Sequence, residues 1–538
     1  MSTGTSSAVT WKAPGPGPWE RDAAHQERPF STLWMDVAPL GFRRGFTEAF
    51  ERFGLPFQSF DLADVDGWFF GTFTPVAEAE FAKRAATAEA AIDARPWRAI
   101  ADEWTSSVRE QLLARNRELQ AVDPQALDDG ALAQHLAATL QLLRDGATRH
   151  FLQSGAHWVG VGLLANEAAA FGWSPERVIN ALAGASPGSM APHEGLQKIA
   201  DAIASDPRAS AILAGDGDPR TTLDQLRGCS QSIADALDEY LDDHGWQVFT
   251  GFDFTHEALI ELPALLLSTI KSTRATTSRD AGELEQLRAA VAPGDRARFE
   301  VLLDDALVTY GLRDDDSGIT IQRPLGLVRR AVLEAGGRLA ARGALADGDD
   351  AFDASAAELA ALLTGAGERP NPEELARRAA RRRPPYPIPP RRLGEDGPPP
   401  DEALPPAMER IVGALFTALA LEDTEDPEER VTGLLQGRGA SRGVYEGRAR
   451  LIRGPEDFER LQQGDVLVAG FTTPAYNVVL PLLGAVVTDR GGVLSHPAIV
   501  AREYGIPAVV GTGTATATIP DGTRVRVDGT LGTVVLLG

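Results

Sequence analysis

Cysteine is almost absent from this chain, and long apolar runs are absent as well. The single cysteine, Cys229, excludes an internal disulfide framework and a zinc site built on cysteine pairs. No apolar run approaches the roughly 20 residues that a membrane-spanning helix needs, and the first residues lack the apolar core of a secretory signal. We therefore expect a cytoplasmic protein that spans no membrane.

Basic residues are also in deficit, and lysine is the scarcest of them. The chain has 76 acidic and 52 basic residues and a formal net charge of −24, which on balance repels nucleic acids and anionic membrane surfaces. Lysine occurs only at Lys12, Lys83, Lys198 and Lys271, and none of these follows a glycine-rich loop of the kind that cradles nucleotide phosphates. Any phosphate chemistry must therefore use a local basic pocket.

The 538 residues are too many for one hydrophobic core, and the sequence changes character along its length. Residues 1–75 are rich in Pro, Gly and aromatics, which predicts loops and short strands. Residues 76–365 have helical periodicity, and residues 366–434 form an Arg/Pro-rich connector, extended or packed along the surface, followed by a helix. Residues 435–538 alternate short β-runs with glycine turns. We expect a multidomain α+β protein: a mostly α-helical substrate-binding domain, to which residues 1–75 belong, followed by a compact C-terminal α/β domain.

The segment TDRGGVLSHPAIVAREYGIP, residues 488–507, predicts a strand, a turn and a helix in close succession. The β-branched run that leads into it is typical of a buried strand. Gly491 and Gly492 permit a turn with positive φ. Pro497 suits the first turn of a helix, which we expect to end at Gly505.

His496 stands at the entrance of this predicted helix, where Ser495 is placed to cap it. The backbone N–H groups and the positive end of the helix dipole favour an anion there. Because imidazole is mostly unprotonated and nucleophilic at neutral pH, His496 is a candidate carrier of a phosphoryl group. The helix N-terminus, Ser495 and Thr488 would then contact the phosphate together with the glycine turn. The alternative for a lone histidine is a role in capping or packing alone.

The string GGVLSHPAIVAREYGIPAVVG resembles the phosphohistidine swivelling domain of the phosphoenolpyruvate-utilising enzymes, a family that includes phosphoenolpyruvate synthase, pyruvate phosphate dikinase and rifampin phosphotransferase. The resemblance covers about residues 435–538, with Pro497 where many members have alanine. It implies that His496 forms a covalent phosphohistidine intermediate and that the chain is a phosphotransferase.

The preceding part of the chain resembles, more loosely, the substrate domain of rifampin phosphotransferase. WERDAAHQERPFS is similar to the opening motif of that domain, and the matching positions are Trp19, Asp22, His25 and Pro29. The segment YGLRDDD, which contains Arg313, is similar to its closing section, although relatives tend to carry RE where this chain has RD. That departure leaves the substrate open.

The resemblance also implies a partner. The ATP-grasp domain of the family, several hundred residues long, has no counterpart in this sequence, because the similarity already starts near Trp19. We therefore expect a split, dikinase-type enzyme in which a separate ATP-grasp subunit binds ATP and Mg and phosphorylates His496. This chain itself would bind no cofactor and no metal. Since such splitting is known among relatives that phosphorylate phenol or cresol, a small phenolic acceptor is the leading hypothesis.

Phosphoryl transfer to a hydroxyl needs cations on the moving group, a base for the hydroxyl proton, and exclusion of water. Arg313, Arg323 and Arg329 are the predicted phosphate-binding cations, although structural ion pairs would also explain them. His25 is the predicted base, with a structural hydrogen bond as its alternative.

The predicted acceptor pocket is lined by aromatic side chains, for which core packing is the alternative. Phe69 and Phe73 belong to the same aromatic stretch as Trp68 and Phe70. His150 lies seven residues before His157, so on a helix the two histidines share a face and could line the same pocket. The residues predicted to bind substrate are Trp34, Trp68, Phe70 and His157.

Two further functions stay open at this stage. One is a subunit of an antibiotic phosphotransferase, which a large open pocket would favour over a phenol-sized one. The other is a non-catalytic phosphocarrier or regulatory binding protein, which would be indicated by an apolar groove without arginines or a histidine facing His496. A phosphoenolpyruvate donor is less consistent with the sequence, because no donor-binding barrel is visible.

Overall fold

The computed structural model describes residues 10–22, 25–26, 28–248, 251–273, 282–395, 403–422, 434–472, 476 and 479–537. A mainly helical part is followed by a strand-rich C-terminal domain. The predicted multidomain α+β architecture is therefore confirmed. Within these residues, no helix combines the length and apolarity needed to cross a bilayer.

The helical part contains one small sheet among many helices. In chain order its elements are β1 (Trp19–Arg21), α1 (Thr32–Phe53), β2 (Phe57–Val65), β3 (Trp68–Pro75), α2 (Glu78–Ala94), α3 (Pro96–Glu103), α4 (Arg109–Gln120), α5 (Asp129–Glu167), α6 (Pro175–Asn180), α7 (Ala191–Ala204), α8 (Pro207–Ala214), α9 (Pro219–Arg227), α10 (Gln231–His244), α11 (Pro263–Ser272), α12 (Gly282–Ala290), α13 (Arg296–Tyr310), α14 (Leu312–Ser317), α15 (Arg323–Ala341), α16 (Ala356–Thr364), α17 (Pro372–Arg381), β4 (Arg392–Leu393) and α18 (Pro406–Glu422).

Helix α5, 39 residues long, is the axis around which α1, α13, α15 and α18 pack. Asp128 caps it by accepting a hydrogen bond from the backbone N–H of Ala131 at 2.7 Å. Glycines bring its neighbours close: Gly160 faces the side chain of Thr309 on α13, and Gly162 faces the backbone of Ala414 on α18. Side chains at these two positions would push the helices apart.

Helix α1 differs from the prediction of loops and short strands for residues 1–75. Its N-cap, Ser31, accepts a hydrogen bond from Trp34 N and is itself held by the buried carboxylate of Asp253, at 2.7 and 2.8 Å. Phe46, Phe50 and other apolar residues recur at helical spacing on its buried face. Part of the aromatic content of residues 1–75 is therefore the core face of a helix, whereas the stretch from Trp68 to Phe73 lies on β3.

The small sheet has the strand order β2-β3-β1-β4 within the described residues. Asp66 and Gly67, with φ of 57° and 86°, form the two-residue turn of the β2–β3 hairpin. The connector packs along the surface here, since Pro387 O accepts a hydrogen bond from Trp68 Nε1 at 3.2 Å. The connector's residues 396–402 lie outside the described part of the chain, whereas the helix predicted after it is present as α18.

The C-terminal domain contains the strands and the helix that the sequence predicts. Its elements are β5 (Leu434–Gln436), β6 (Arg438–Ser441), β7 (Val444–Ile452), β8 (Asp465–Ala469), β9 (Leu483–Thr488), α19 (His496–Tyr504), β10 (Ala508–Val510), α20 (Ala515–Thr518), β11 (Arg524–Asp528) and β12 (Thr533–Leu536). The described strands form a sheet of order β5-β12-β11-β7-β8-β9-β10-β6, in which β7, β8, β9 and β10 run parallel.

The two parts share apolar cores. Val493, Leu494 and Ile499 of the C-terminal domain belong to the cluster formed by α5, α13 and α18. On another side, apolar residues of α7, α10 and α11 share a cluster with β8, β9 and α19. The C-terminal domain is therefore seated against the helical part by buried apolar side chains.

Candidate active site

The loop that carries His496 lies at the carboxyl ends of two adjacent parallel strands. Thr472 follows β8, and the glycine turn and His496 follow β9. This is the edge at which open α/β sheets bind ligands. Thr472 Oγ1 lies 3.1 Å from His496 Nδ1, so the hydroxyl fixes the orientation of the imidazole ring.

The glycine turn has the predicted form, but its polar side chains are used differently. Gly491 has a φ of 100°. The side chain of Ser495 makes no cap to α19, because its hydroxyl donates instead to the carbonyl of Gly492 at 2.6 Å. Thr488 is fully buried and donates to the carbonyl of Arg490 at 2.7 Å. Thr488 therefore holds the backbone of the loop through a buried hydrogen bond. Gly491 and Ser495 line a cavity beside the loop.

His496 and His25 line the same cavity, whose volume is about 670 Å³. Thr472, Glu20, Glu422 and Arg490 contribute polar groups. Much of the remaining wall is aromatic and includes Phe46, Phe60, Phe73, Trp158, Phe416 and Phe471. Within this wall the rings of Phe46 and Trp158 are stacked, with their centroids 5.5 Å apart. The structure thus joins the predicted nucleophile and the predicted base across an apolar space.

His25 is oriented by a carboxylate. Its Nδ1 lies 3.0 Å from both carboxylate oxygens of Asp22, and its backbone N–H donates to the same side chain. The ring also packs edge-on against Phe252, with centroids 5.2 Å apart. A carboxylate on Nδ1 fixes the tautomer in which Nε2 accepts a proton and stabilises the imidazolium that results.

The residues predicted to bind substrate lie elsewhere. Trp34 is buried on the core face of α1, and Trp68 and Phe70 fill the core under the small sheet. The reason is strand alternation, which puts Trp68 and Phe70 on one face of β3 and Phe73 on the other. His157 is fully buried, and its Nδ1 is 2.9 Å from the carbonyl oxygen of Tyr310. Of the predicted aromatic stretch, Phe73 is the residue that reaches the cavity.

Of the predicted cations, Arg323 and Arg329 lie outside the cavity that His496 shares with His25. Arg329 makes a bidentate ion pair with Glu261, at 2.8 and 3.1 Å, beside a separate cavity of about 760 Å³ that His25 also lines. Arg323 is buried and donates to the carbonyl of Asp243, and its burial lowers its pKa. It lines a polar cavity of about 550 Å³ that reaches His496 from the other side. The side chain of Arg313 lies outside the described residues.

Thr472 and Arg490 are among the residues at the site that were not singled out from the sequence. Arg490 stands within the motif and lines the cavity beside His496. Burial and the positive charge of Arg490 both lower the pKa of Arg21, which shows that the two guanidinium groups lie near each other. Both missed residues follow the ends of parallel strands, and that position was the available signal. In the described part of the chain, no three His, Cys, Asp or Glu side chains are grouped to hold a metal ion.

Comparison with known protein families gives two matches. Residues 461–532 match the mobile domain of the PEP-utilising enzymes, and residues 156–314 match the fourth domain of rifampicin phosphotransferase. The chain therefore contains a segment similar to the mobile domain of the phosphoenolpyruvate-utilising enzymes and a segment similar to a domain of rifampicin phosphotransferase. The resemblance stated from the sequence is thereby confirmed for these two segments, the first of which includes His496.

Individual relatives agree with these two matches. A rifampicin phosphotransferase of Streptomyces sviceus is 30% identical over 377 residues, which are 65% of this chain and 40% of that protein. An uncharacterised phosphotransferase of Bacillus subtilis is 30% identical over 56% of this chain and 36% of its own length. A probable phosphoenolpyruvate synthase of Archaeoglobus fulgidus is 42% identical over 21% of this chain and 15% of that protein. The chain thus spans two fifths or less of these relatives.

Proposed function

We propose that this chain is the phosphoryl-carrier and acceptor-binding part of a dikinase-type phosphotransferase. In this function His496 receives a phosphoryl group that originates from ATP and passes it to a hydroxyl of an acceptor bound in the aromatic cavity. The observation that carries the proposal is the shared cavity of about 670 Å³, in which His496 and His25 meet between aromatic walls. The alternative of a non-catalytic carrier is less favoured, since that cavity also presents Arg490.

In the first step, His496 Nε2 attacks the phosphorus of the donor, and the bond from that phosphorus to the donor's leaving oxygen breaks. The hydrogen bond between Nδ1 and Thr472 is left intact, because the reaction uses the other ring nitrogen. A proton on Nδ1 donated to the Thr472 hydroxyl selects the tautomer whose Nε2 lone pair is nucleophilic.

In the second step, the acceptor oxygen attacks the phosphorus and the N–P bond breaks, which returns Nε2 to its neutral form. His25 takes the hydroxyl proton, and Asp22, 3.0 Å from its Nδ1, stabilises the imidazolium. Arg490 neutralises charge on the phosphoryl oxygens in transit. The phosphorylated acceptor then leaves, and His25 releases its proton to solvent.

The donor is proposed to be an ATP-grasp module, with ATP and Mg, on a separate subunit. Support comes from the relatives, of which about 60% lies outside the region matched by this chain. That remainder is long enough to hold such a module. Charging by such a module requires His496 to leave the acceptor cavity, which a swivelling domain permits.

The acceptor is proposed to be a hydroxylated molecule with a substantial aromatic or apolar part. Sites for drug-sized ligands have volumes of about 300–1,000 Å³, and the cavity falls in this range. Because a single phenol ring would leave much of this space to water, the volume favours a larger, antibiotic-like acceptor. Phenol or cresol is retained as the second candidate, since the aromatic wall suits any phenolic ring.

The proposal is tested with the full chain and a small-molecule donor. Phosphoramidate, which phosphorylates histidine directly, is applied to the wild type and to His496→Ala, and acid-labile phosphate is measured by intact mass. Charged protein is then offered phenol, 1-naphthol or rifampicin, and the phosphorylated product is quantified. We expect charging that is lost in His496→Ala and transfer that favours the larger acceptors. Charging without transfer to any hydroxyl would favour the non-catalytic carrier.

A further inference from the structure

The last turn of α18 touches the phosphohistidine loop through main-chain atoms. The N–H of Gly492 donates to the carbonyl of Glu422 at 2.6 Å, and the N–H of Leu494 donates to the carbonyl of Leu421 at 2.9 Å. Both carbonyls lie in the last described turn of α18. The loop therefore bonds to this turn through two backbone hydrogen bonds, in the way that a neighbouring strand would.

Gly492 makes this contact possible. Of the two glycines in the motif, Gly491 has the positive φ that the turn requires, whereas Gly492 does not. A β-carbon at Gly492 would instead lie against the carbonyl group of Leu421, far inside contact distance. The second glycine is thus explained by the close approach of α18 rather than by the turn itself.

The same turn of α18 also forms part of the acceptor cavity. The side chain of Glu422 lines that cavity, as do Leu419 and Ala420. Glu422 Oε1 accepts a hydrogen bond of 2.7 Å from the indole N–H of Trp158, which belongs to the aromatic wall. One residue therefore links the acceptor cavity, through its side chain, with the phosphohistidine loop, through its carbonyl.

We propose that the carbonyls of Leu421 and Glu422, here called the docking station, bind the phosphohistidine loop and fix its position against the acceptor cavity. This inference rests on the proposed function and adds positioning residues to it. The carrier reaches the acceptor in productive geometry only when the loop is bonded to α18. Charging of His496 does not need that contact, since it takes place with the loop away from the cavity. A methyl group at position 492 should therefore slow transfer to the acceptor and leave charging of His496 unchanged.

The test compares Gly492→Ala with Gly337→Ala, a control on the exposed face of α15 where a β-carbon meets nothing. Full-length proteins are charged with phosphoramidate and then offered 1-naphthol. We expect Gly492→Ala to charge within about twofold of the wild type but to transfer at least tenfold more slowly, with the loss in the rate constant rather than in KM. Small-angle X-ray scattering should show a larger radius of gyration for this variant, and the control should match the wild type in every measurement.

Leu421→Ala is the second variant. It keeps the carbonyl but removes the buried side chain that packs in one cluster with Val493 and Leu494, which should displace the carbonyl from the loop, and it leaves the C-terminal domain intact if Gly492→Ala disturbs folding. It should show the same separation of charging from transfer. Wild-type protein that cannot be charged would contradict the proposed function and not the docking station alone. The docking station is refuted if both variants transfer like the wild type, or if charging and transfer fall in parallel in a folded Leu421→Ala protein.

Discussion

Leu494→Ala should release the phosphohistidine loop from the helical part without unfolding the domain that carries it. Leu494 is fully buried, and it belongs to the apolar cluster of α5, α13 and α18 rather than to the core of its own sheet. Truncating a buried leucine to alanine costs about 2–5 kcal/mol. If that loss falls on docking, the equilibrium constant for docking decreases by about 30- to 4,000-fold, at roughly 1.4 kcal/mol for each factor of ten.

Val487→Ala is the matched control, because Val487 is also fully buried but lies in the cluster formed only by residues of the C-terminal domain. Small-angle scattering and single-turnover transfer report docking, and thermal unfolding reports domain stability. We expect Leu494→Ala to expand the protein and slow transfer, while Val487→Ala lowers the unfolding temperature and leaves charged protein competent. The reasoning fails if Leu494→Ala behaves like Val487→Ala, since the side chain would then stabilise its own domain instead of the interface.

Three further predictions follow from single contacts. His25→Gln should slow transfer from charged protein by about 10²–10⁴-fold with unchanged charging, and a normal transfer rate in single-turnover assays would remove it as the base. Burial lowers the pKa of His256 to about 3, and its Nδ1 accepts the N–H of Asp253, whereas an unfolded histidine titrates near 6.5. Acid thus favours the unfolded state, and the free energy of unfolding falls by up to ~1.4 kcal/mol per pH unit below about 6.5. The unfolding temperature of His256→Asn should therefore fall less steeply than that of the wild type between about pH 6.5 and 4.5. An identical slope for the two proteins would contradict this. Asp305 is buried and accepts hydrogen bonds from two arginines and a tryptophan. Asp305→Ala should therefore lower the free energy of unfolding, measured with denaturant, by about 3–5 kcal/mol. A loss below 1 kcal/mol would show that solvent replaces the carboxylate.

The C-terminal domain was predictable because its signals are local. β-Branched runs between glycines predicted β8, β9, β10, β11 and β12, and Pro497 and Gly505 marked the beginning and the end of α19. The first 75 residues were harder. Ser31 and the spaced phenylalanines do signal α1, but Pro39 lies inside that helix, and proline ordinarily argues against a helix interior. The tertiary packing of α1 offsets the destabilisation that Pro39 causes in the helix.

For the candidate site, the sequence identified residues in motifs but not the walls around them. His496 and His25 were found because each stands in a recognisable string. Trp68 was assigned to the cavity from its residue type, yet its orientation depends on strand alternation and on which face of the hairpin meets α1. Thr472 required knowledge that β8 and β9 are neighbours. Such contacts are set by topology, which no single segment encodes.

The apolar interface also constrains the donor module that we propose for charging His496. Val493, Leu494 and Ile499 are all fully buried against the helical part, and exposing three such side chains would cost about 5–9 kcal/mol. If undocking of the C-terminal domain lost all of this burial free energy, the domain would almost never occupy a second site. The donor module must therefore cover the same side chains with an apolar surface of its own, so that exchange between the two sites is nearly balanced. Because Leu494→Ala weakens both dockings, while Gly492→Ala clashes only with α18, the first variant should slow charging by an ATP-dependent donor and the second should not. Equal effects of the two variants on that reaction would show that the donor does not use this apolar surface.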